Sequence, residues 1–173
     1  MEGLEFLLEF FVGLLLICAI IGIAVYVINA LFLRGVAKDH GIGNTWMAWV
    51  PIANLFLFSN IVSKVSGDNT YKLKYLGTFA AYILLPTIGA MTESGILIAL
   101  TYVVMIAFMV FHFMGLYQIY KQYIPDSALL LVILSLFTPV QLGITIYLLV
   151  AKIGKMNIVE TKEYIEENYQ NYE

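Results

Sequence analysis

This sequence has few of the residues that soluble proteins and covalent frameworks depend on. Charged residues make up only 12% of the 173 residues, and there is a single cysteine, Cys18. A soluble domain carries about 25% charged residues because its surface is hydrated, so this chain has too few charges to cover a water-facing globule. One cysteine excludes an intrachain disulfide, and the formal net charge of −3 favours no nucleic-acid partner.

The local motifs of catalysis and of cofactor binding are also missing. The sequence contains no Gly-rich phosphate loop, no HExxH, no CxxC and no GxSxG, the motifs typical of nucleotide, metal, redox and acyl-transfer sites. Its two histidines, His40 and His112, have no cysteine, histidine or glutamate partner at metal-ligand spacing. We therefore predict a protein that is not an enzyme, with no cofactor, no metal and no catalytic residue.

Hydrophobic residues, in contrast, are abundant. They make up 61% of the chain, and the mean hydropathy is +0.88. The charges are clustered between five long uncharged runs, at residues 10–33, 40–63, 75–92, 94–120 and 127–151. A membrane-spanning helix needs about 20 apolar residues, so the pattern predicts an all-α integral membrane protein, a helical bundle whose main partner is the lipid bilayer.

We predict one transmembrane helical domain, residues 1–153, followed by a polar, acidic tail, residues 154–173. Three uncharged runs have the length and composition of firm transmembrane helices, which we place at residues 10–33, 75–91 and 96–120. The segment before the first helix is acidic, whereas a secretory signal begins with a basic region. We therefore expect this helix to be retained.

The two other apolar elements, residues 45–62 and 128–151, are each interrupted by a proline, Pro51 and Pro139. A proline inside a helix removes a backbone donor, and the freed carbonyl must be covered by protein or water at membrane depth. The first element is predicted to lie at the interface, to re-enter or to form a short span. The second is predicted to span or to re-enter, which gives four to five membrane segments in all.

Several polar and aromatic residues in these runs are candidates for a structural or functional role. Trp46 and Trp49 lie three residues apart, hence on one helical face, as in an interfacial aromatic anchor. The Asn54 amide follows the Pro51 break and could satisfy the freed backbone. His112 is either a functional group at membrane depth or a hydrogen-bonding link between helices. The full set is Trp46, Trp49, Pro51, Asn54, His112, Pro139 and Gln141, and the buried polar residues also include Asn29, Asn60, Thr101, Gln118 and Thr145.

The positions of the nine basic residues discriminate between topologies, because positive charge favours the cytoplasmic side. If both Pro-broken elements enter and leave on one side, all nine share one face, and the acidic N-terminus and Glu93 lie opposite. If only the first element returns, the division is six to three, and if all five runs span it is four to five. We favour the first arrangement with the N-terminus outside, and the side of the C-terminus stays open.

A weak internal repeat relates the two halves of the chain. Arg34 precedes Pro51 by 17 positions, and Lys121 precedes Pro139 by 18. Each basic residue ends a long helix, and each proline interrupts the apolar segment that follows. Paired interrupted helices also occur in secondary transporters.

Residues 33–54 resemble a family of small multispanning bacterial membrane proteins of unknown function, common in Gram-positive organisms. The family pattern is a first helix, a basic turn with glycine, a tryptophan and an Ile-Pro-Ile-x-Asn-like core. Here it reads Lys38, Gly41, Trp46 and Val50-Pro51-Ile-Ala-Asn54. The likeness extends over roughly residues 20–150, and this chain departs from it at Val50 and in its acidic tail. The resemblance implies a multi-pass protein of the cytoplasmic membrane and implies no activity.

Three functions are compatible with the sequence. The leading hypothesis is a non-enzymatic protein that acts through contacts with a membrane-protein partner or with itself, as an accessory, immunity-type or envelope component. The second is a small oligomeric transporter or channel for a neutral or lipidic solute, lined by the two Pro-broken elements. The third is an intramembrane lipid-modifying enzyme that uses His112 or Glu93.

Overall fold

The structure, a computed structural model, describes residues 2–153, so the predicted acidic tail lies outside the described residues. Every regular element in this part of the chain is helical, with no strand. There are six α-helices: α1 (Glu2–Asp39), α2 (Ala53–Ser66), α3 (Tyr71–Met91), α4 (Gly95–Tyr123), α5 (Ala128–Leu134) and α6 (Thr138–Ala151). Short 3₁₀ turns precede α2 and α5, at Thr45–Trp49 and Pro125–Ser127.

Helices α1, α3 and α4 are long enough and apolar enough to cross a membrane. They contain the three predicted spans and confirm the predicted fold class. Helices α3 and α4 pack against each other as a hairpin. Glu93, in the turn between them, has a φ of 52°, and the Ser94 side chain caps α4 by accepting a hydrogen bond from the Leu97 N–H.

The first Pro-broken element turns back at Pro51. A 3₁₀ turn ends at Trp49, Pro51 lies in the next turn, and the 14-residue helix α2 follows. At 1.5 Å per residue α2 is about 21 Å long, shorter than the hydrocarbon layer of about 30 Å. Near the end of α2, the Lys64 ammonium donates to the carbonyl of His40, in the turn before the element. The element therefore enters and leaves at the same end of the bundle.

The second Pro-broken element has the same design. Helix α5 ends at Leu134, residues 135–137 form the break, and Pro139 lies in the first turn of α6. Helix α5 begins just after α4 ends, and α6 packs along α1. The chain after α6 reaches the last turns of α1, where a Cβ added to Gly35 would lie 2.5 Å from Ile153 Cγ2. Both ends of this element therefore lie at the same end as α2.

This common end holds the core and the basic residues. The Tyr123 hydroxyl at the end of α4 donates to Asp39 at the end of α1, and the fully buried side chains include Tyr75, Tyr120, Leu57 and Leu148. Glu93, in the turn between α3 and α4, lies at the opposite end. Seven basic residues are described, and all lie near the common end: Arg34, Lys38, Lys64, Lys72, Lys74, Lys121 and Lys152.

The other half of the bundle is sparsely packed. Helix α1 packs mainly on the first 3₁₀ turn, α2 and α6, whereas α3 packs mainly on α4 and α2. Almost every residue of α1 from 5 to 24 is exposed. Helix α1 therefore makes little contact with the α3–α4 hairpin.

Candidate functional site

Three of the candidate residues, distant in sequence, line one cavity. Asn54 in α2, His112 in α4 and Gln141 in α6 surround a cavity of about 390 Å³, and α1 lines its other side. We call this cavity the polar chamber. The other polar residues that line it are Tyr26, Asn29, Tyr75 and Thr145, and its apolar lining includes Val25, Phe32, Leu33, Leu55, Phe58 and Leu116.

The two Pro-broken elements each contribute an amide to the polar chamber. Asn54 and Gln141 lie in the first turns of α2 and α6, just after the breaks. The Asn54 backbone N–H donates to the Val50 carbonyl at 2.8 Å, and the Gln141 backbone N–H donates to Phe137 at 3.0 Å. Pro51 has no N–H for the carbonyl of Met47, four residues earlier, and that carbonyl instead accepts from the Val50 backbone N–H at 3.3 Å. Neither side-chain amide hydrogen-bonds a described residue.

His112 joins α4 to α3 and also lines the chamber. Its Nδ1 lies 3.2 Å from the Tyr75 hydroxyl, and its ring stacks on Phe58 of α2 with a centroid separation of 4.9 Å and an interplanar angle of 28°. The structure therefore has the hydrogen-bonding link between helices that was one of the two interpretations of His112. Because Nε2 makes no hydrogen bond to a described residue, the same ring also offers a polar atom to a molecule in the chamber.

The α1 wall adds polar groups with unused hydrogen-bonding capacity. The Tyr26 hydroxyl is buried and has no partner among the described residues. Asn29 donates from Nδ2 to the Val25 carbonyl at 3.0 Å, which leaves its side-chain oxygen available. On the facing helix α6, Thr145 is 2% exposed. Buried polar groups are nearly always hydrogen-bonded in proteins, so this chamber is suited to a molecule that supplies partners.

The chamber combines an apolar surface with several uncharged polar groups. Among the described residues, no Asp, Glu, Lys or Arg lines it, and no group of three His, Cys, Asp or Glu side chains is placed to hold a metal ion. Amides and hydroxyls donate and accept hydrogen bonds without compensating a net charge. The arrangement therefore suits an uncharged polar group.

The remaining candidate residues lie away from this chamber. Trp46 and Trp49 are exposed on the first 3₁₀ turn, where three residues per turn place them on one face, as an interfacial anchor requires. Pro51 and Pro139 are exposed at the two breaks. They determine where α2 and α6 begin, and so they affect the chamber through the positions of Asn54 and Gln141.

The two tyrosines of the chamber, Tyr26 and Tyr75, were not predicted as site residues. Both belong to apolar helices in which tyrosine is common, with 12 in the whole chain. Gly115, a third unpredicted residue, allows close packing: it lies beside Tyr71 and Phe58, so that the Tyr71 hydroxyl reaches the Phe111 carbonyl at 2.7 Å. Glycine at such a contact is a known signal of close helix approach, but its partners are set by the fold.

Comparison of the chain with protein-family models, with curated proteins and with solved structures found no match in any of the three. The resemblance of residues 33–54 to a bacterial membrane family therefore stays a prediction. The assignment of a role rests on the polar chamber and on the exposed surface of the bundle.

Proposed function

We propose that this protein is a multi-pass protein of a bacterial cytoplasmic membrane that binds a small uncharged molecule in the polar chamber. The observation that carries the proposal is the convergence of Asn54, His112 and Gln141, from three separate helices, on one cavity. The volume of about 390 Å³ falls within the range of small-molecule sites, about 300–1,000 Å³.

The electrostatics of the chamber support an uncharged occupant. A charged group at membrane depth is costly unless an opposite charge or water compensates it, and the described lining offers amides, hydroxyls and one imidazole. We also propose that binding is not coupled to catalysis. General acid–base chemistry needs a positioned proton donor or acceptor of suitable pKa, and His112 is the one such lining residue apart from the tyrosines.

The orientation follows from the charge distribution. All seven described basic residues lie near one end of the bundle, and Glu93 lies at the other. We propose that the basic end faces the cytoplasm and that the N-terminus lies outside, in agreement with the positive-inside rule. Gly22 of α1, which lines the chamber, is exposed, so the chamber then opens to the bilayer beside α1.

Transport of the bound molecule is an extension of this proposal. The two Pro-broken elements contribute lining residues to the chamber from two sides, as interrupted helices do at transporter substrate sites. A transporter or channel would require the chamber to open toward the cytoplasmic end as well. Flux of a neutral solute such as glycerol into proteoliposomes, abolished in Asn54→Ala and Gln141→Ala, would support that extension.

Access of uncharged molecules to the chamber tests the binding proposal. In a Cys18→Ser background, Asn54→Cys should react with uncharged N-ethylmaleimide much faster than with a cationic methanethiosulfonate reagent, because the chamber admits neutral groups. Ser59→Cys is the matched control, since Ser59 lies on the same helix, is fully buried and does not line the chamber. Equal rates of N-ethylmaleimide labelling at Asn54→Cys and Ser59→Cys would overturn the proposal.

A second candidate function is contact with a membrane-protein partner or with another copy of this chain. It is favoured by one observation, the exposed apolar surface of α1 between residues 5 and 24. Cys18 lies on this segment and is exposed. Oxidative cross-linking in native membranes should give a Cys18-dependent dimer if the partner is a second copy, whereas a monomer that co-purifies with no other protein in mild detergent would contradict the hypothesis.

A further inference from the structure

A second cavity adjoins the polar chamber. It has a volume of about 420 Å³ and shares Leu55, Tyr75 and His112 with the polar chamber. Its other lining residues are apolar: Phe108, Met109, Phe113 and Leu136. We call it the apolar chamber. The two chambers lie on either side of the Tyr75–His112 pair, one with amide and hydroxyl groups in its lining and the other lined, apart from this pair, by apolar residues.

Both chambers are open to the side of the bundle. Along the wall of the polar chamber, α1 passes from exposed Gly22 to buried Phe32. In the apolar chamber, Met109 is 49% exposed and Leu136 is 62% exposed. These openings lie within the apolar part of the bundle, where hydrocarbon chains are the surrounding solvent. A lipid can therefore enter sideways without crossing an aqueous face.

We infer that the occupant of the site is a lipid with an uncharged, hydroxylated headgroup and a single hydrocarbon chain, the headgroup in the polar chamber and the chain in the apolar chamber. This inference rests on the proposed binding function and specifies its ligand class. Hydroxyl groups both donate and accept, so one such headgroup can pair with the Asn54 and Gln141 amides and with the buried Tyr26 hydroxyl.

The headgroup supplies the selectivity. Moving a hydrocarbon chain from the bilayer into the apolar chamber gains little, because lipid tails are as apolar as the lining side chains. A hydroxylated headgroup at membrane depth, in contrast, lacks hydrogen-bond partners in hydrocarbon and finds them in the polar chamber. A phosphate headgroup would bring a net charge that no described lining residue compensates, so anionic phospholipids are excluded.

Protection of introduced cysteines tests the inference. In the Cys18→Ser background, Val25→Cys reports on the polar chamber, which Val25 lines, and Leu136→Cys reports on the apolar chamber, with the protein in phosphatidylcholine nanodiscs. The probes are monooleoylglycerol, glycerol, and dioleoylphosphatidylglycerol, which carries a net charge. We expect monooleoylglycerol to slow N-ethylmaleimide labelling at both positions at least tenfold, and dioleoylphosphatidylglycerol to slow neither.

The outcomes separate this inference from the binding function beneath it. If glycerol protects Val25→Cys as well as monooleoylglycerol does, and Leu136→Cys stays unprotected, the chamber binds an uncharged molecule but the lipid assignment is wrong. If the charged phospholipid protects both positions equally, the requirement for an uncharged headgroup is wrong. If no probe protects either position, both the inference and the proposed function are wrong.

A matched pair of variants provides an independent test. Gln141→Leu should weaken monooleoylglycerol binding, measured by native mass spectrometry, at least fivefold. Gln118→Leu should leave it unchanged, because Gln118 is an amide on α4 that lines neither chamber. Equal losses in the two variants would contradict a headgroup site at Gln141.

Discussion

The Tyr123 hydroxyl donates a 2.9 Å hydrogen bond to Oδ2 of Asp39, across 84 positions of sequence. Both residues are buried, at 8% and 7% exposure, and each ends a membrane-spanning helix, α4 and α1 respectively. The bond therefore holds the ends of two parallel spans together at the basic end of the bundle. A carboxylate in such a place needs hydrogen-bond donors, because burial without them is costly.

We expect Tyr123→Phe to destabilise the protein. The substitution keeps the ring and removes one donor from the buried Asp39 carboxylate, a change that typically costs about 1–3 kcal/mol. Thermal unfolding in mild detergent should show a lower midpoint. Tyr102→Phe is the matched control, since Tyr102 is mostly exposed on the same helix. Equal midpoints for the two variants would contradict the role of the Tyr123–Asp39 bond.

Gly115→Ala should destabilise the packing of α4 on α2 and α3. An added Cβ would lie 2.6 Å from Phe58 Cζ and would also collide with the Tyr71 hydroxyl, and such overpacking costs about 1–3 kcal/mol. Gly77→Ala is the comparison, because nothing lies within 4 Å of a Cβ at that position. This second variant should be neutral or stabilise by up to about 1 kcal/mol, since alanine favours a helix over glycine. The free energy of unfolding, measured for both variants, checks the difference.

Cysteine accessibility should place the turns before and after the first Pro-broken element on the same side of the membrane. In the Cys18→Ser background, we expect membrane-impermeant reagents to label Asn44→Cys and Asn69→Cys from one side and Glu93→Cys from the other. The reason is that α2 is too short to cross and its end lies beside His40. Labelling of Asn44→Cys and Asn69→Cys from opposite sides would show that this element spans.

The loop between α2 and α3 should show a small pH effect. The pKa of Asp68 is lowered from its model-compound value of 3.8, chiefly by the Thr70 side-chain hydroxyl, which donates to Asp68 Oδ1 at 2.6 Å. A lowered pKa in the folded state means that this contribution to stability is present above about pH 4 and is lost as the pH falls through the folded pKa. In an NMR titration, Thr70→Val should raise the pKa of Asp68. An unchanged pKa would contradict the role of the hydroxyl.

Composition and charge spacing were enough to predict the membrane fold, because lipid-exposed helices need only length and low charge. The extra turns at the ends of α1 and α4 could not be predicted this way. Arg34, Lys38 and Lys121 interrupt the apolar runs, but the helices continue through them to Asp39 and Tyr123. Polar residues at helix ends are solvated beyond the hydrocarbon and do not stop a helix.

Individual residues of the candidate site were predicted from the sequence, but their arrangement around one cavity was not. Asn54, His112 and Gln141 were conspicuous as polar groups in apolar runs, yet their convergence depends on how α2 and α6 pack against α4 and α1. The positions of Pro51 and Pro139 indicated that two helices begin inside the bundle. They did not indicate the side that the new helices face, which is set by packing around Leu57 and Leu148.

In the described part of the chain, the two Pro-broken elements occupy only the basic end of the bundle. Six helices therefore surround its axis there, whereas of these only α1, α3 and α4 extend to the Glu93 end. The molecule is thus wider in one leaflet than in the other. A cross-section of this kind displaces more lipid area from one leaflet than from the other. The same two prolines that shape the chamber therefore also determine how unequally the protein occupies the two leaflets.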